Sequence, residues 1–478
     1  LKNLPYYAHG LIFGFIAPIT VYVTYQDASI FAPPESVWRL VVVCACLSLV
    51  FGAVCYSLLR EHRYAGLLAS FIVLDLLYIW RIYAVILVAI LFAWGLLSYT
   101  SKKMTLFNVH LSMIAISMSI AGYFGLNYWQ MSRVMDWDET RSMLTPVPIQ
   151  TSSAVQGNKP DIYYIILDGY GGAEMLKTLH GYDNSAFISE LEARGFIVPS
   201  KSRANYPRTF LSLSSSLNMQ YLDSVTETMG DSYLWWPLQG TFTHNQTRAF
   251  LESQGYQTVS MATYWDFTTM TDTDTYIPAY PVMLNKFEEL FIGQTNLSRV
   301  NSLGDFGVAL PTYRTLRRVV LHEFEQLQKI PTFASPKFVF VHIVSPHTPF
   351  VFDAQGNSIT PDYAFTFSED FLTPSKYRKG YLEQLEYINH KVLESVDAIL
   401  ESSSTPPIIV IQGDHGPGVF IDYRSADNSC LYERFSILNA YYLPGVARST
   451  VPEDITPVNT FRVIFNEYFS TDLELLPN

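Results

Sequence analysis

The chain has 478 residues, carries 43 acidic against 31 basic side chains, and has a formal net charge of −12. That balance argues against a nucleic-acid partner, which needs basic faces, and the absence of a GxxxxGK[ST] loop argues against ordinary nucleotide hydrolysis. The length exceeds a single ordinary domain, and 49% hydrophobic residues beside so many acids point to two parts, one very apolar and one soluble and acidic.

Apolar segments run through roughly residues 7–25, 39–59, 65–80, 82–98 and 107–126. Each approaches the ~20 residues that cross a bilayer. Asp75 and Arg81 interrupt the third and fourth, which read as two short spans with a tight turn near Trp80–Arg81 or as one long bent element. Asp75, Arg81 and Glu61 read as helix-end residues reaching the interface. "LLREHRYAG" (58–66) and "SYTSKKM" (98–104) carry positive charge and belong in the cytoplasm, whereas "YQDASIFAPPESV" (25–37) belongs outside. The expectation is a multi-pass protein of the cytoplasmic membrane. Residues 1–127 form a transmembrane helical domain of about five spans, and the chain beyond it is extracytoplasmic.

Cys44, Cys46 and Cys55 lie in the apolar part and only Cys430 in the soluble part. The soluble part therefore has no internal disulfide and, without a CxxC pair, no cysteine zinc site. "YWQMSRVMDWDETRSML" (128–144) reads as a juxtamembrane helix and 145–160 as a polar linker, so that residues 128–158 join the two domains.

From residue 159 to 478, β-rich runs alternate with helical patterns. Candidate strands are 161–167, 256–260, 337–343, 407–412 and 437–443, and candidate helices are 184–194, 244–254, 310–329, 375–402 and 457–469. The first, third and fourth strands are near-continuous apolar runs, as parallel strands covered on both faces are. This order predicts an α/β domain with a mainly parallel sheet, whose ligands sit at the carboxyl ends of the strands. The polar stretch 261–308 reads as a long excursion, a candidate lid.

Asp168 follows the first strand, and "IIVIQGDHGPG" (408–418) repeats the design with Asp414 and His415 between glycines. Two carboxylates and an imidazole at the ends of buried strands can converge on one cation. Oxygen plus nitrogen ligation suits Zn²⁺ or Mn²⁺ better than Mg²⁺ or Ca²⁺. A strand-end Asp can equally be a loop residue. In "ANYPRTFLSLSSSLN" (204–218) a helix begins near Arg208–Thr209, because proline disfavours helix at the residue before it. Thr209 is then either a plain N-cap or, at the positive end of the helix dipole, a nucleophile for phosphorus activated by the metal. His347, in "HIVSPHTPF" (342–350), lies in a proline-braced loop where it could bind a phosphoryl oxygen or protonate a leaving group. His342 ends the strand and is a core histidine or a site residue. His180, His244, His322 and His390 lie in helical or turn contexts and read as structural or solvated.

These motifs, in this order over about residues 159–470, resemble the alkaline phosphatase superfamily in its sulfatase-like branch. "LDGYGG", the Thr209 turn, "PHTPF" and "GDHG" look like that family's metal, nucleophile, substrate and metal motifs. The preceding membrane spans are similar to those of lipoteichoic-acid synthases and lipid A phosphoethanolamine transferases. The resemblance implies that Asp168, Asp414 and His415 are metal ligands, with Thr209 the nucleophile and a further ligand. His347 would contact the transferred group, and Arg208 and Arg434 are basic neighbours that hold phosphate or else serve surface or salt-bridge roles. It implies one divalent ion, a phospholipid donor at the membrane, and a glycan or lipid acceptor of a phosphoglycerol- or phosphoethanolamine-type head group. Two features depart from it. Asp168 stands where the lipid-dependent transferases usually carry Glu, which keeps a hydrolase with water as acceptor open. The sulfatase signature of Cys or Ser followed by x-Pro-x-Arg is missing around Thr209, which argues against a formylglycine sulfatase. The soluble part also has no Asp-x-x-x-His pair for a second metal. A non-catalytic protein using the fold to bind glycan or protein is the alternative from another class. The residues leave the oligomeric state open.

Overall fold

The computed structural model describes residues 3–25, 34–78, 82, 85–91, 93–94, 105–134, 144–150, 159–229, 237–279, 284–299, 312–363, 365–369, 372–423 and 425–477. The chain divides into two compact units. One comprises Leu1–Asp136, Tyr233–Trp236 and Leu284–Leu310, and the other the rest.

The helical unit contains α1 (Pro5–Thr24), α2 (Val37–Leu59), α3 (His62–Leu77) and α4 (Leu106–Val134). Among the described residues three helices are long and apolar enough to cross a membrane: Pro5–Thr24, Pro34–Leu59 and Leu106–Ser132. The expected third span, α3, has 16 residues. Of the expected fourth, residues 85–91 are helical and much of the remainder lies outside the described residues. The expected juxtamembrane helix does not start afresh at 128: its first turns, to Val134, continue α4 without a break. The rest of that stretch, 135–143, lies outside the described residues.

The helices have a defined sense. His9, near the start of α1, meets His110, near the start of α4, with Nε2 2.8 Å from Nδ1. At the other ends, the Tyr22 and Tyr128 rings lie 5.7 Å apart. α1 and α4 therefore run parallel. Part of the long polar excursion belongs to this unit, including a short helix at Lys286–Gln294. There Phe287 packs 5.4 Å from Tyr22, Glu288 pairs with Arg39 at the start of α2, and Asn296 Nδ2 donates to the Asp75 carbonyl near the end of α3 at 2.7 Å. The end of α3 is thus level with the end of α1 and the start of α2, so α3 shares the direction of α1 and α2 opposes it.

The α/β unit is built on six strands in the order β3-β2-β4-β1-β5-β6. These are β1 (Ile162–Leu167), β2 (Gln257–Met261), β3 (Thr275–Ile277), β4 (Lys337–Ile343), β5 (Ile408–Gly413) and β6 (Asn439–Tyr442). All pairs are parallel except β5 with β6. The five expected strands are present within two residues at each end. β3 was not expected, because three residues inside a polar stretch carry no periodic signal.

Every residue of β1, β4 and β5 is buried, and alternate side chains feed two cores. Tyr163, Ile165, Val339, Val341, Ile409 and Ile411 face the helices Tyr313–Leu327 and Pro374–Ser402. Tyr164, Ile166, Phe338, Phe340 and Val410 pack with Leu213, Leu217, Phe461 and Phe465 on the other side. A strand clamped on both faces cannot slip by one residue without exchanging its two side-chain sets. That fixes where β1, β4 and β5 end: Leu167 is in register with both Ile343 and Gly413. The three loops that follow therefore leave the sheet side by side.

Candidate functional site

Asp168 follows β1 and is fully buried. Its main chain is held on both sides, the amide donating to the Ile343 carbonyl and the carbonyl accepting from the His347 amide, each at 3.0 Å. Gly169 adopts a positive φ of 75°, which a side chain would strain, and its amide donates to Asp414 Oδ1 at 3.0 Å. The turn after β1 thus ties the β4 and β5 loops to the Asp168 backbone and leaves the carboxylate to face inward.

Asp168, Asp414 and His415 each place one ligand atom within 4.8 Å of the others. His415 Nε2 lies 3.3 Å from Asp414 Oδ2 and 3.6 Å from Asp168 Oδ1, while its Nδ1 lies 2.9 Å from the Gly416 carbonyl, which orients the ring. Thr209, at the first turn of the helix Thr209–Asn218, brings its Oγ1 to 3.2 Å from the same Nε2. Arg208 is the N-cap of this helix, and Thr209 lies one position inside it. The plain N-cap reading of Thr209 is therefore set aside.

Both Asp168 oxygens and Asp414 Oδ2 are buried without a hydrogen-bond partner. Buried carboxylate oxygens facing one another unpaired are costly unless a cation joins them. The donor set, carboxylate oxygens with one imidazole nitrogen and a hydroxyl, fits a divalent ion. Asp168, Asp414, His415 and Thr209 are the residues that could hold it.

The other sequence candidates lie around this cluster. His347 Nδ1 lies 2.7 Å from the Thr348 carbonyl, which leaves Nε2 to point inward. Burial would lower its pKa, but Asp168 and Glu369 outweigh that and raise it. Burial also lifts the Asp168 carboxyl, yet His347, His342 and His415 together hold it well below the usual range. His415 is pushed down by burial and by the Arg434 guanidinium. His342 is fully buried, with Nδ1 2.8 Å from Thr268 Oγ1 and Nε2 3.4 Å from Asp168 Oδ2, so it supports Asp168 from behind.

Arg434 takes no surface role. It is 2% exposed, its Nη2 lies 3.2 Å from His415 Nε2, and its Nε donates to the Pro207 carbonyl at 2.9 Å. Arg208 packs its guanidinium 4.0 Å from the centre of the Tyr423 ring. Of the histidines set aside, His180 is buried 2.9 Å from Glu433 and His244 lies 3.6 Å from Asp272. His322 is half-buried and His390 exposed.

The sequence reading missed Glu369, Tyr377 and Tyr423. Glu369 is 3% exposed and accepts from Arg434 Nη1 at 3.0 Å, from the Tyr377 hydroxyl at 2.8 Å and from the Tyr423 hydroxyl. None of the three sits in a strand-end motif. The only local hint was Gly418, where a Cβ would lie 2.5 Å from Glu369 Oε1.

The sulfatase family model matches residues 160–461. The chain belongs to the sulfatase family, in the alkaline phosphatase superfamily, and is an enzyme of that sulfatase-like kind. No curated protein matches it in sequence. Among solved structures it is similar to the C-terminal periplasmic domain of EcEptC from Escherichia coli in complex with Zn, at 15% identity and a TM-score of 0.43, covering 69% of this chain and 87% of that one. It is similar to the integral membrane lipooligosaccharide phosphoethanolamine transferase A of Neisseria meningitidis, at 11% identity and a TM-score of 0.43, covering 76% and 69%. It is also similar to a 2-O GAG sulfatase, at 14% identity and a TM-score of 0.41, covering 66% and 72%.

Proposed function

We propose that this protein is a membrane-anchored, metal-dependent phosphotransferase. It moves a phospho-head group of the phosphoglycerol or phosphoethanolamine type from a lipid donor to a glycan or lipid acceptor. The observation that carries the reading is the convergence of unpaired Asp168 and Asp414 oxygens, His415 Nε2 and Thr209 Oγ1 at the ends of β1 and β5. Asp168, Asp414, His415 and Thr209 would hold one divalent ion, Zn²⁺ or Mn²⁺ by ligand type. When bound, that ion supplies Lewis acidity that lowers the pKa of the Thr209 hydroxyl and offsets charge on the ester oxygens.

The chain's residues do the rest. Thr209 Oγ, having lost its proton to water, attacks phosphorus. The bond from phosphorus to the lipid oxygen breaks, and His347 gives that oxygen its proton, releasing diacylglycerol or another alcohol. The head group is then esterified to Thr209. The acceptor hydroxyl attacks in turn, His347 takes its proton, and Thr209 is freed. Arg434 and Arg208 hold the non-bridging oxygens.

Chain direction supports the topology. α1, α3 and α4 run the same way, and α2 opposes them. The reading has about five crossings, with the N-terminus cytoplasmic. Residues 1–127 are then the membrane domain, 128–158 the connection and 159–478 the extracytoplasmic catalytic chain. A second reading, a phosphodiester hydrolase with water as acceptor, is favoured by Asp168 where the resembling transferases carry Glu.

The test is metal analysis and intact mass of the protein and its Thr209→Ala variant after exposure to phospholipid. About one metal per chain, with an adduct only when Thr209 is present, supports the transfer, and the adduct's mass identifies the head group. No metal in either overturns the reading. Turnover of a soluble diester without any acceptor favours the hydrolase.

A further inference from the structure

Glu369 lies outside every motif, yet it organises the wall opposite the carboxylate pair. Besides Arg434, Tyr377 and Tyr423, it lies 3.8 Å from His347 Nε2. Tyr423 links it in turn to Arg208. Its ion pair with Arg434 at 3.0 Å holds it as a carboxylate, and its carboxyl is held down to about 2, because Arg434, His347, His415 and Tyr423 outweigh the burial that would raise it. Gly418 leaves room for it: a Cβ there would lie 2.5 Å from Glu369 Oε1.

The charge matters for the substrate. Around Thr209 the fixed charges are the carboxylates of Asp168, Asp414 and Glu369 and the guanidiniums of Arg208 and Arg434. His347, whose proton travels, is left out. These groups leave the protein one charge negative, and a divalent ion brings the site to a single net positive charge. That complements an ester with one negative charge. Without the Glu369 charge the site would carry two positive charges and would complement a dianion. In a buried site such a difference is weakly screened.

We propose that Glu369 is a specificity-determining residue. By holding Arg434 and offsetting its charge, it selects singly charged oxyanion esters, phosphodiesters or sulfate monoesters, over doubly charged phosphomonoesters. This rests on the reading of Thr209 as the centre of an ester-cleaving site.

The experiment uses the full chain loaded with Mn²⁺ or Zn²⁺. It compares kcat/KM at about pH 8, where a phosphomonoester is a dianion, for bis(p-nitrophenyl) phosphate, p-nitrophenyl sulfate and p-nitrophenyl phosphate. Whichever of the first two is cleaved distinguishes the phosphodiester from the sulfate source. Relative to the wild type, Glu369→Gln should shift the ratio of singly to doubly charged ester about tenfold or more toward the phosphomonoester, with unchanged metal content. Glu369→Asp should keep the wild-type ratio. Intrinsic ester reactivity cancels in this comparison, and a purely structural role would lower all rates together. If Glu369→Gln does not fold, the Glu369→Gln, Arg434→Gln pair, which preserves the charge count, should keep the ratio, and a shift there overturns the proposal. A Glu369→Gln ratio within about threefold of the wild type also overturns it, since that is well under the tenfold expected. A metal-loaded wild type that cleaves none of the esters, even with glycerol supplied as an acceptor alcohol, overturns the reading of the site and this proposal with it.

Discussion

The two units each bury a cluster of histidine and oxygen side chains, and the two clusters behave differently. In the helical unit, His9 Nδ1 lies 2.6 Å from Ser70 Oγ, His9 Nε2 lies 2.8 Å from His110 Nδ1, and Ser70 Oγ donates to the Gly66 carbonyl at 3.0 Å. Apart from His110 Nε2, these groups satisfy one another. In the α/β unit, both oxygens of Asp168 and one of Asp414 face inward with no donor. Burial of a polar residue is thus common to both. What separates them is whether the polar atoms are already paired, and groups of one charge sign left unpaired are the ones kept for a ligand. The helical cluster fastens helices to one another, whereas the α/β cluster leaves carboxylate oxygens unpaired, as the proposed metal site requires.

The sharpest test of that contrast is catalytic. Thr209→Ala should lower diester turnover by roughly a thousandfold or more, and Asp414→Asn should reduce bound metal to a small fraction of the wild-type content. In metal-free protein, Asp168→Asn should lower stability at neutral pH, because the neighbouring histidines favour the charged carboxylate in the fold. Added metal should raise the melting temperature of the wild type and not of this variant. A wild type whose melting temperature ignores divalent ions would erase the distinction between the clusters.

Glu323 extends the contrast to a group with no ligand to meet. It is 1% exposed on the core face of the helix Tyr313–Leu327, neither oxygen has a hydrogen-bond partner, and burial raises its carboxyl well above the usual range. A carboxyl whose pKa is raised in the folded state favours folding while protonated. Stability should therefore decline as pH rises above the ordinary value near 4.5 toward the folded-state pKa. Glu323→Leu should stabilise the protein by about 1–3 kcal/mol at neutral pH, with the gain vanishing near pH 4.5 in a series of melts.

Smaller effects belong to the helical unit. Glu288 both closes a capping box with Asn285 and pairs with Arg39. Glu288→Ala should cost about 1–2 kcal/mol, measured as detergent-solubilised thermal stability. His9→Ala should cost only about 0.6 kcal/mol and leave soluble diester hydrolysis unchanged. If it abolished hydrolysis, the helical cluster would be more than a fastening and the comparison would break.

How much of this was legible in sequence depended on distance along the chain. Asp168 and the Asp414–His415 pair were readable because each directly follows a fully apolar strand, and the sheet brings adjacent strand ends together. Thr209 was readable through the proline that limits where its helix can start. Arg434 was read only as a basic neighbour, because five residues of helix, Leu431–Phe435, say nothing about burial. The polar excursion was read as a candidate lid, yet 284–299 packs among the N-terminal apolar helices. Its apolar residues Leu284, Phe287, Leu290, Phe291, Ile292 and Leu297 are scattered among polar ones and do not by themselves announce a partner.

By itself, the sequence determined the class of fold, the apolar helices ahead of it, and the chemical types gathered at the strand ends. Those follow from local properties: hydrophobic run length, alternation, and the few residues tolerated next to a buried strand. Only the tertiary structure decided which of those polar atoms are paired. It also decided that Glu369 holds Arg434 from 65 residues away and that His342 Nε2 lies 3.4 Å from Asp168 Oδ2. Pairing is a relation between atoms brought together by loops, and loop paths leave no periodic trace in the chain.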